Sequence, residues 1–87
     1  MKTKTVLILY HKPECPLCDE FELELREWVA LHPETDYKTQ NIEDKECLNR
    51  KYEWRVPVLT ADDTEICFGE FDEHTLESFM LGNAQSA

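Results

Sequence analysis

The sequence contains few of the residues and segments that mark fibrous, low-complexity, secreted or membrane proteins. It has only 2 Gly and 4 Pro in 87 residues, which excludes collagen-like and low-complexity chains. The apolar run after the basic N-terminus covers only residues 6–10, which is too short for a secretory signal. No apolar run approaches the roughly 20 residues of a membrane-spanning helix. We therefore expect a cytoplasmic protein without a membrane partner.

Positive charge is also scarce. Nine basic residues against 19 acidic ones give a formal net charge of -10. Nucleic acids and anionic membranes repel such a chain, so we expect neither as a partner. The apolar and aromatic residues suffice for one small core. We therefore expect a single domain over residues 1–87, with an ordered core at about residues 5–81.

The four cysteines are too few for a disulfide-stapled secreted mini-protein. In a reducing cytoplasm, paired cysteines are more often catalytic or metal-binding than structural. Cys15 and Cys18 form a C-x-x-C pair, whereas Cys47 and Cys67 stand alone. We expect Cys47 to face inward from a short helix and Cys67 to pack within a strand.

The hydrophobic pattern of the first third of the chain predicts a strand followed by a helix. Residues 6–10 form a continuous apolar run, which is typical of a strand buried on both faces. From Cys15 or Pro16 to about Leu31, apolar residues recur at intervals of three and four, which predicts a helix. Its inward positions are Phe21, Leu25, Trp28 and Val29 with Leu31 nearby, and its outward positions are Glu20, Glu24 and Glu27.

The remaining pattern predicts a second strand, a short charged helix, a hairpin and a last helix. The predicted ranges are 36–42 (strand), 44–52 (helix), 54–60 and 65–68 (strands) and 73–81 (helix). Pro57 would lie inside a strand, which requires an edge, a bulge or a cis bond. Asp72 suits the N-cap of the last helix, and Gly82 with Asn83 would end it.

The C-x-x-C pair lies between a buried strand and a helix start, a position that favours thiol chemistry. The free N–H groups and the dipole of a helix N-terminus stabilise the thiolate of Cys15. Cys18 follows one turn later on the same face. A thiolate there can attack a disulfide, and the second thiol can resolve the mixed disulfide. Redox exchange is the favoured interpretation; a thiolate metal site and inert packing remain open.

Three segments of the chain resemble the motifs of glutaredoxins. Residues 10–18, Y-H-K-P-E-C-P-L-C, are similar to the segment Y-x-K-x-x-C-P-Y-C. Arg55-Val56-Pro57 stands where glutaredoxins have T-V-P, and residues 69–73 are similar to G-G-x-D-D. Over nearly all of residues 5–81 the chain resembles the glutaredoxin-like and thioredoxin-like proteins, most closely the short bacterial glutaredoxin-like family. The resemblance implies a thioredoxin-like α/β fold, in which three helices flank a four-stranded mixed sheet in the order βαβαββα.

The resemblance also implies a role for each site residue. Cys15 is the expected nucleophile and Cys18 the resolving thiol. A cis Pro57 would pack against the sulfurs, and the Val56 backbone would pair with an incoming peptide or glutathione. The other residues implied for substrate or glutathione binding are Lys12, Arg55, Gly69 and Asp72. We expect no bound cofactor or metal, and an external reductant, either glutathione or a thioredoxin-reductase-type system.

The chain departs from the glutaredoxin motifs at two positions. Leu17 replaces the tyrosine of C-P-Y-C, and Glu70 replaces the second glycine of G-G-x-D-D. Glu70 and Glu14 would repel a carboxylate of glutathione, by about 1 kcal/mol for each close pair. The expected partners are glutathione and protein disulfides, and we expect protein disulfides to be the better substrate. We also expect the oxidoreductase to be a monomer. A non-catalytic adaptor or thiolate metal-binding protein of the same fold remains the alternative, and Trp54 is either a substrate contact or a plain surface residue.

Overall fold

The computed structural model describes residues 4–85, with side chains to residue 81. Four strands and three α-helices follow in the order βαβαββα, as the sequence predicted. Their bounds are β1 (Thr5–His11), α1 (Pro16–Ala30), β2 (Thr35–Asn41), α2 (Glu46–Tyr52), β3 (Val58–Ala61), β4 (Thr64–Phe68) and α3 (Glu73–Gln85), with a 3-10 turn at Ile42–Asp44 before α2. Within this part of the chain, no helix has the length and apolarity needed to cross a membrane.

The four strands form one mixed sheet in the order β2-β1-β3-β4. β1 and β2 are parallel, whereas β3 runs antiparallel to both β1 and β4. Tyr10 pairs with Val58, and Val58 pairs with Phe68. The end of β1, the start of β3 and the end of β4 therefore lie side by side at one edge of the sheet. The predicted mixed sheet, with a parallel pair followed by a hairpin, is confirmed.

The main core lies between one face of the sheet and the helices α1 and α3. This face of the sheet carries Leu7 and Leu9 from β1 and Leu59 and Ala61 from β3. In each strand the two residues are two positions apart, so their side chains point to the same face. Burying each of the leucine side chains contributes roughly 1.5–3 kcal/mol. The helices contribute Phe21, Leu25, Trp28 and Leu76 to the same cluster.

The other face of the sheet is covered only at one end. Tyr10 of β1 stacks on Tyr52 of α2, with ring centroids 4.7 Å apart. α2 has seven residues, about 10 Å of helix, and cannot cover the whole of β1. Val6 at the far end of β1 is consequently 46% exposed. The prediction that this strand is buried on both faces was wrong, because the apolar run is longer than the helix above it.

The predicted strand 54–60 begins too early. The structure starts β3 at Val58, after a cis peptide bond between Val56 and Pro57. The N–H groups of Arg55 and Val56 both donate to the carbonyl of Tyr52, at 2.8 and 3.0 Å, and so are not available to a strand ladder. Pro57 therefore precedes the strand, and of the three explanations for it the cis bond is the one observed.

α3 begins as predicted and ends later. Asp72 caps it, because its carboxylate accepts hydrogen bonds from the N–H (3.1 Å) and the hydroxyl (2.8 Å) of Thr75. The predicted stop at Gly82 and Asn83 was wrong, since the helix continues to Gln85. A single glycine costs a helix only about 1 kcal/mol relative to alanine and does not end it unaided. Ala84, predicted to fray, is helical, and residues 86–87 lie outside the described part.

Two predicted core positions are exposed. Cys47 is exposed on α2, whereas its neighbour Leu48 packs against the smaller cluster. Leu48 and Tyr52 are four residues apart and fill the inward face of this short helix, which turns Cys47 away. Leu31 is exposed because it follows α1 as its C-cap and leaves the helical repeat. Cys67 is half-buried against the main core, as predicted.

Candidate active site

Cys15 is the N-cap residue of α1. β1 ends at His11, and a short turn leads to Pro16, the first residue of the helix. Proline suits this position because its fixed φ matches a helix and its missing N–H has no helical partner to lose. Glu14, just before the cysteine, adopts a left-handed conformation with φ 56°, which is uncommon for residues other than glycine. The turn thus places the sulfur of Cys15 at the positive end of the helix dipole.

Cys15 and Cys18 form a disulfide, with their Cα atoms 5.2 Å apart. The Cys18 N–H donates to the Cys15 Sγ at 3.2 Å, so this sulfur serves as the capping acceptor of the helix. Cys15 is half-buried, whereas Cys18 is only 3% exposed. An external molecule can therefore reach Cys15, while Cys18 is accessible mainly to its partner sulfur.

The sheet brings the other predicted site segments to the same edge. Residues 12–15 leave the end of β1, residues 56–57 enter β3, and residues 69–72 leave β4, where Tyr10, Val58 and Phe68 lie side by side. Pro57 is fully buried. Its carbonyl accepts a hydrogen bond from Gly69 N–H at 2.8 Å, which ties two of these segments together. Gly69 has φ +81°, a conformation that favours glycine.

Of the two polar backbone groups of Val56, only the N–H makes a backbone hydrogen bond within the described residues. Its N–H donates to the Tyr52 carbonyl at 3.0 Å. Within residues 4–85, its carbonyl accepts no backbone hydrogen bond. The predicted pairing of Val56 with an incoming peptide is thus restricted to the carbonyl unless the bond to Tyr52 opens. Sequence reasoning missed this bond, because it placed Val56 inside a strand over residues 54–60, where the N–H would join the strand ladder instead.

The two predicted cations have partners of their own. Lys12 Nζ donates to the carbonyl of Glu53 at 3.4 Å, at the end of α2. Arg55 pairs with the carboxylate of Glu65 at 2.5 Å and lies over the ring of Phe68, 4.6 Å from its centroid. Glu65 therefore offsets much of the charge that Arg55 could offer to a thiolate. No sequence signal points to this pair, because it joins the loop before β3 to a residue of β4.

Asp72 and Cys67 lie near the same edge but are constrained by their surroundings. The hydrogen bonds from Thr75, first its backbone N–H, hold the pKa of Asp72 below its usual value. Burial is the main cause that raises the pKa of the Cys67 thiol. Asp72 thus acts as a helix cap in this structure, and Cys67 favours the protonated thiol, which is a poor nucleophile.

A groove of about 230 Å³ lies between α1 and the segment that joins β4 to α3. We call it the acidic groove. Phe21 and Phe71 meet there edge to face, with ring centroids 5.4 Å apart. Leu17, which lies between the two cysteines, is 53% exposed. The lining residues are Leu17, Glu20, Phe21, Glu24, Gly69, Glu70 and Phe71.

The described residues do not form the thiolate metal site that the sequence left open. They contain no group of three or more His, Cys, Asp or Glu side chains that could hold a metal ion. Cys47 lies apart on α2, in a shallow depression lined by Glu46, Arg50 and Lys51. Among the described residues, Cys15 and Cys18 are therefore joined as a pair, while Cys47 and Cys67 are free thiols.

Comparison with known proteins agrees with the fold and identifies the family. Residues 6–81 match the family model described as "Glutaredoxin-like domain (DUF836)". No curated protein matches the chain.

Among solved structures, the chain is similar to protein Ne2328 from Nitrosomonas europaea, with 30% identity, a TM-score of 0.80 and coverage of 91% of this chain and 94% of that one. It is also similar to protein XcR50 from X. campestris, with 26% identity, a TM-score of 0.65 and coverage of 87% and 96%. The germline-specific thioredoxin Deadhead of Drosophila melanogaster is 20% identical, with a TM-score of 0.55 and coverage of 91% and 80%. The last similarity shows a shared thioredoxin-like fold and no more.

Proposed function

This chain belongs to the glutaredoxin-like domain family, and on that premise we propose that it is a thiol–disulfide oxidoreductase that acts through Cys15 and Cys18. The observation that carries the proposal is the disulfide at the start of α1, which joins a half-buried cysteine to a nearly inaccessible one. A structural staple gains little from linking residues only three apart, because the loop that it closes is very short. A redox pair requires two sulfurs within bonding reach of each other, which this short spacing supplies.

The reaction is a pair of thiol–disulfide exchanges. In the reduced protein, the Cys15 thiolate attacks one sulfur of a substrate disulfide, and that S–S bond breaks as the new one forms. The other substrate sulfur leaves as a thiolate and takes a proton from water. The Cys18 sulfur, after losing its proton, then attacks Cys15 Sγ and releases the second substrate thiol. The substrate gains two electrons and two protons, and the protein is left with the Cys15–Cys18 disulfide.

The helix N-terminus supplies most of the stabilisation of the Cys15 thiolate. The Cys18 N–H already donates to Cys15 Sγ in the oxidised protein, and a bond to an anionic acceptor is stronger than one to a neutral acceptor. Lys12 adds positive charge nearby, whereas Arg55 is held by Glu65. The exposed carboxylates of Glu14 and Asp19 flank the cysteine and oppose the thiolate. The balance favours a reductant or general exchange protein over a strong oxidant.

Substrate recognition would use the sheet edge beside the cysteines. The Val56 carbonyl is free to accept one hydrogen bond from the backbone of a substrate, and Pro57 fixes the direction of that carbonyl. Lys12, Arg55, Gly69 and Asp72 complete the proposed substrate or glutathione surface. A protein disulfide or glutathione would bind there, and glutathione or a thioredoxin-reductase-type system would return the protein to its dithiol form.

The test compares the reduction of insulin and of a glutathione mixed disulfide by the wild type, Cys15→Ser and Cys18→Ser, with each reductant system. We expect Cys15→Ser to fall to the uncatalysed rate with both substrates. Cys47→Ser is the matched control, because it removes an exposed cysteine elsewhere, and it should retain the wild-type rate. A wild type no faster than Cys15→Ser contradicts the proposal. Stoichiometric zinc in protein purified without added metal would instead support the metal-binding alternative.

A further inference from the structure

We propose that the acidic groove selects disulfide substrates that carry a Lys or Arg side chain next to the reacting cysteine. This inference rests on the proposed function and names the class of substrate: a basic polypeptide segment with a disulfide, in preference to glutathione.

The groove is positioned to receive a residue that flanks the reacting sulfur. Leu17, Glu20 and Glu24 are spaced by three and four residues, so they share one face of α1. That face begins with Leu17, which lies between Cys15 and Cys18. The opposite wall is the segment 69–71. Its first residue, Gly69, donates a hydrogen bond from its N–H to the carbonyl of Pro57. A chain that places its sulfur at Cys15 therefore has the groove within reach of a neighbouring side chain.

The shape and lining of the groove fit one long amphipathic side chain. Its volume of about 230 Å³ is below the roughly 300–1,000 Å³ of pockets that enclose small-molecule ligands. Leu17, Phe21 and Phe71 supply the apolar part of the lining, and the exposed Glu20, Glu24 and Glu70 supply carboxylates. Lys and Arg bury a hydrocarbon stem against apolar surface while their charged ends stay near water or a carboxylate. A groove whose lining mixes apolar side chains with carboxylates is complementary to that combination.

The carboxylates of the groove have no charged or hydrogen-bonding partner among the described residues. Across the described part of the chain, no hydrogen bond or ion pair engages the side chains of Glu20, Glu24 or Glu70. Three arginines of the chain are paired elsewhere, namely Arg26 with Glu22, Arg50 with Glu46 and Arg55 with Glu65. The net charge of -10 adds a longer-range attraction for a basic partner. Glutathione carries two carboxylates and one ammonium group, so the same field disfavours it.

The test uses two synthetic peptides that contain the same mixed disulfide and differ only in a Lys or a Glu beside the cysteine. The second-order rate constant for their reduction by the prereduced protein is measured by stopped flow. We expect the Lys peptide to react about tenfold faster at low ionic strength. The ratio should fall towards one in high salt, because the groove is exposed to solvent.

The variant Glu20→Gln/Glu24→Gln/Glu70→Gln separates the groove from the overall charge of the protein. It should reduce the Lys-to-Glu ratio to about twofold or less and raise the rate with glutathione disulfide severalfold. Glu27→Gln/Glu34→Gln/Glu43→Gln is the matched control, because it removes the same number of charges at exposed positions that do not line the groove. It should leave both rates unchanged.

Each outcome decides between the claims. Equal rates for the two peptides with the wild type overturn the groove inference and leave disulfide exchange standing. A preference that persists in the triple variant also overturns it, since the preference would then come from charge elsewhere. No reaction with either peptide removes the proposed function, and the substrate preference falls with it.

Discussion

The two ends of α1 differ in how neighbouring residues cover and cap them. At its C-terminal end, Trp28 is 4% exposed, stacks on His32 with ring centroids 3.8 Å apart and donates from Nε1 to Glu77 of α3 at 3.4 Å. At its N-terminal end, Leu17 is half-exposed and Cys15 Sγ accepts the bond that a capping side chain usually takes. Side chains from neighbouring elements close one end, while the other ends in a reactive sulfur.

This difference separates stability from chemistry along a single helix. The middle of α1 contributes Phe21 and Leu25 to the core, and Trp28 extends that packing towards α3. The N-terminal turn contributes the buried Cys18, but its neighbour Leu17 lines the acidic groove. Cys15 is half-buried between the end of β1 and the start of α1. Substitutions at the closed end should therefore affect unfolding, and those at the open end should affect exchange.

The two tryptophans provide the largest expected contrast. Trp28→Ala should lower the free energy of unfolding by about 3–5 kcal/mol, because it empties a buried site. Trp54 lies in the loop before Pro57 and is 88% exposed, so Trp54→Ala should change it by no more than about 0.5 kcal/mol. Urea unfolding of both variants measures the difference. If Trp28→Ala does not fold, Trp28→Phe should still be less stable than Trp54→Ala. Equal stabilities of Trp28→Phe and Trp54→Ala would mean that the buried tryptophan contributes no more to folding than the exposed one.

The two cysteines outside the C-x-x-C pair are expected to differ in how fast their thiols react. Cys67 lies one residue before Phe68 at the end of β4, yet it is half-buried and burial raises its pKa. Cys47 is exposed on α2. In the oxidised protein at neutral pH, we expect Cys67 to react with iodoacetamide about tenfold more slowly than Cys47. Mass spectrometry of digested protein at successive times measures both rates, and faster labelling of Cys67 would mean that the edge is more open than the structure shows.

The smallest expected effect concerns the cap of α3 beside the site. The pKa of Asp72 is lower in the folded protein than in the unfolded chain, chiefly through the Thr75 N–H. Its contribution to stability is therefore present above the unfolded pKa and is lost as pH falls through the folded pKa. Asp72→Asn retains a capping oxygen without the charge. Wild type should be the more stable at neutral pH and lose that advantage as the pH falls below the usual pKa range of an Asp carboxyl; an unchanged difference would mean that the carboxylate charge does not strengthen the cap.

The sequence predicted the features that depend on local pattern. The three-and-four spacing of α1, the C-x-x-C pair before it and the Asp72 cap are all encoded within a few neighbouring residues. The fold itself came from the resemblance of three short segments. The sequence could not show which side of α2 faces the sheet, because two adjacent residues, Cys47 and Leu48, are both apolar.

Features that join distant elements were also beyond the sequence. The pair of Arg55 with Glu65 and the bond from Val56 N–H to Tyr52 depend on how loops meet at the sheet edge. Both reduce what the site offers to a substrate, since one offsets a cation and the other uses a backbone donor. The late end of α3 has a different cause, because the penalty for one glycine is smaller than the local signal suggested.

The central claim is tested most directly by trapping the intermediate. Reduced wild type and reduced Cys18→Ser are each mixed with a peptide disulfide, and intact-mass and peptide mapping follow the sulfur. Cys18→Ser should retain the peptide as a stable adduct on Cys15, while the wild type should release it and finish with the Cys15–Cys18 disulfide. An adduct formed mainly on Cys47 or Cys67, or no adduct with either protein, would contradict the account.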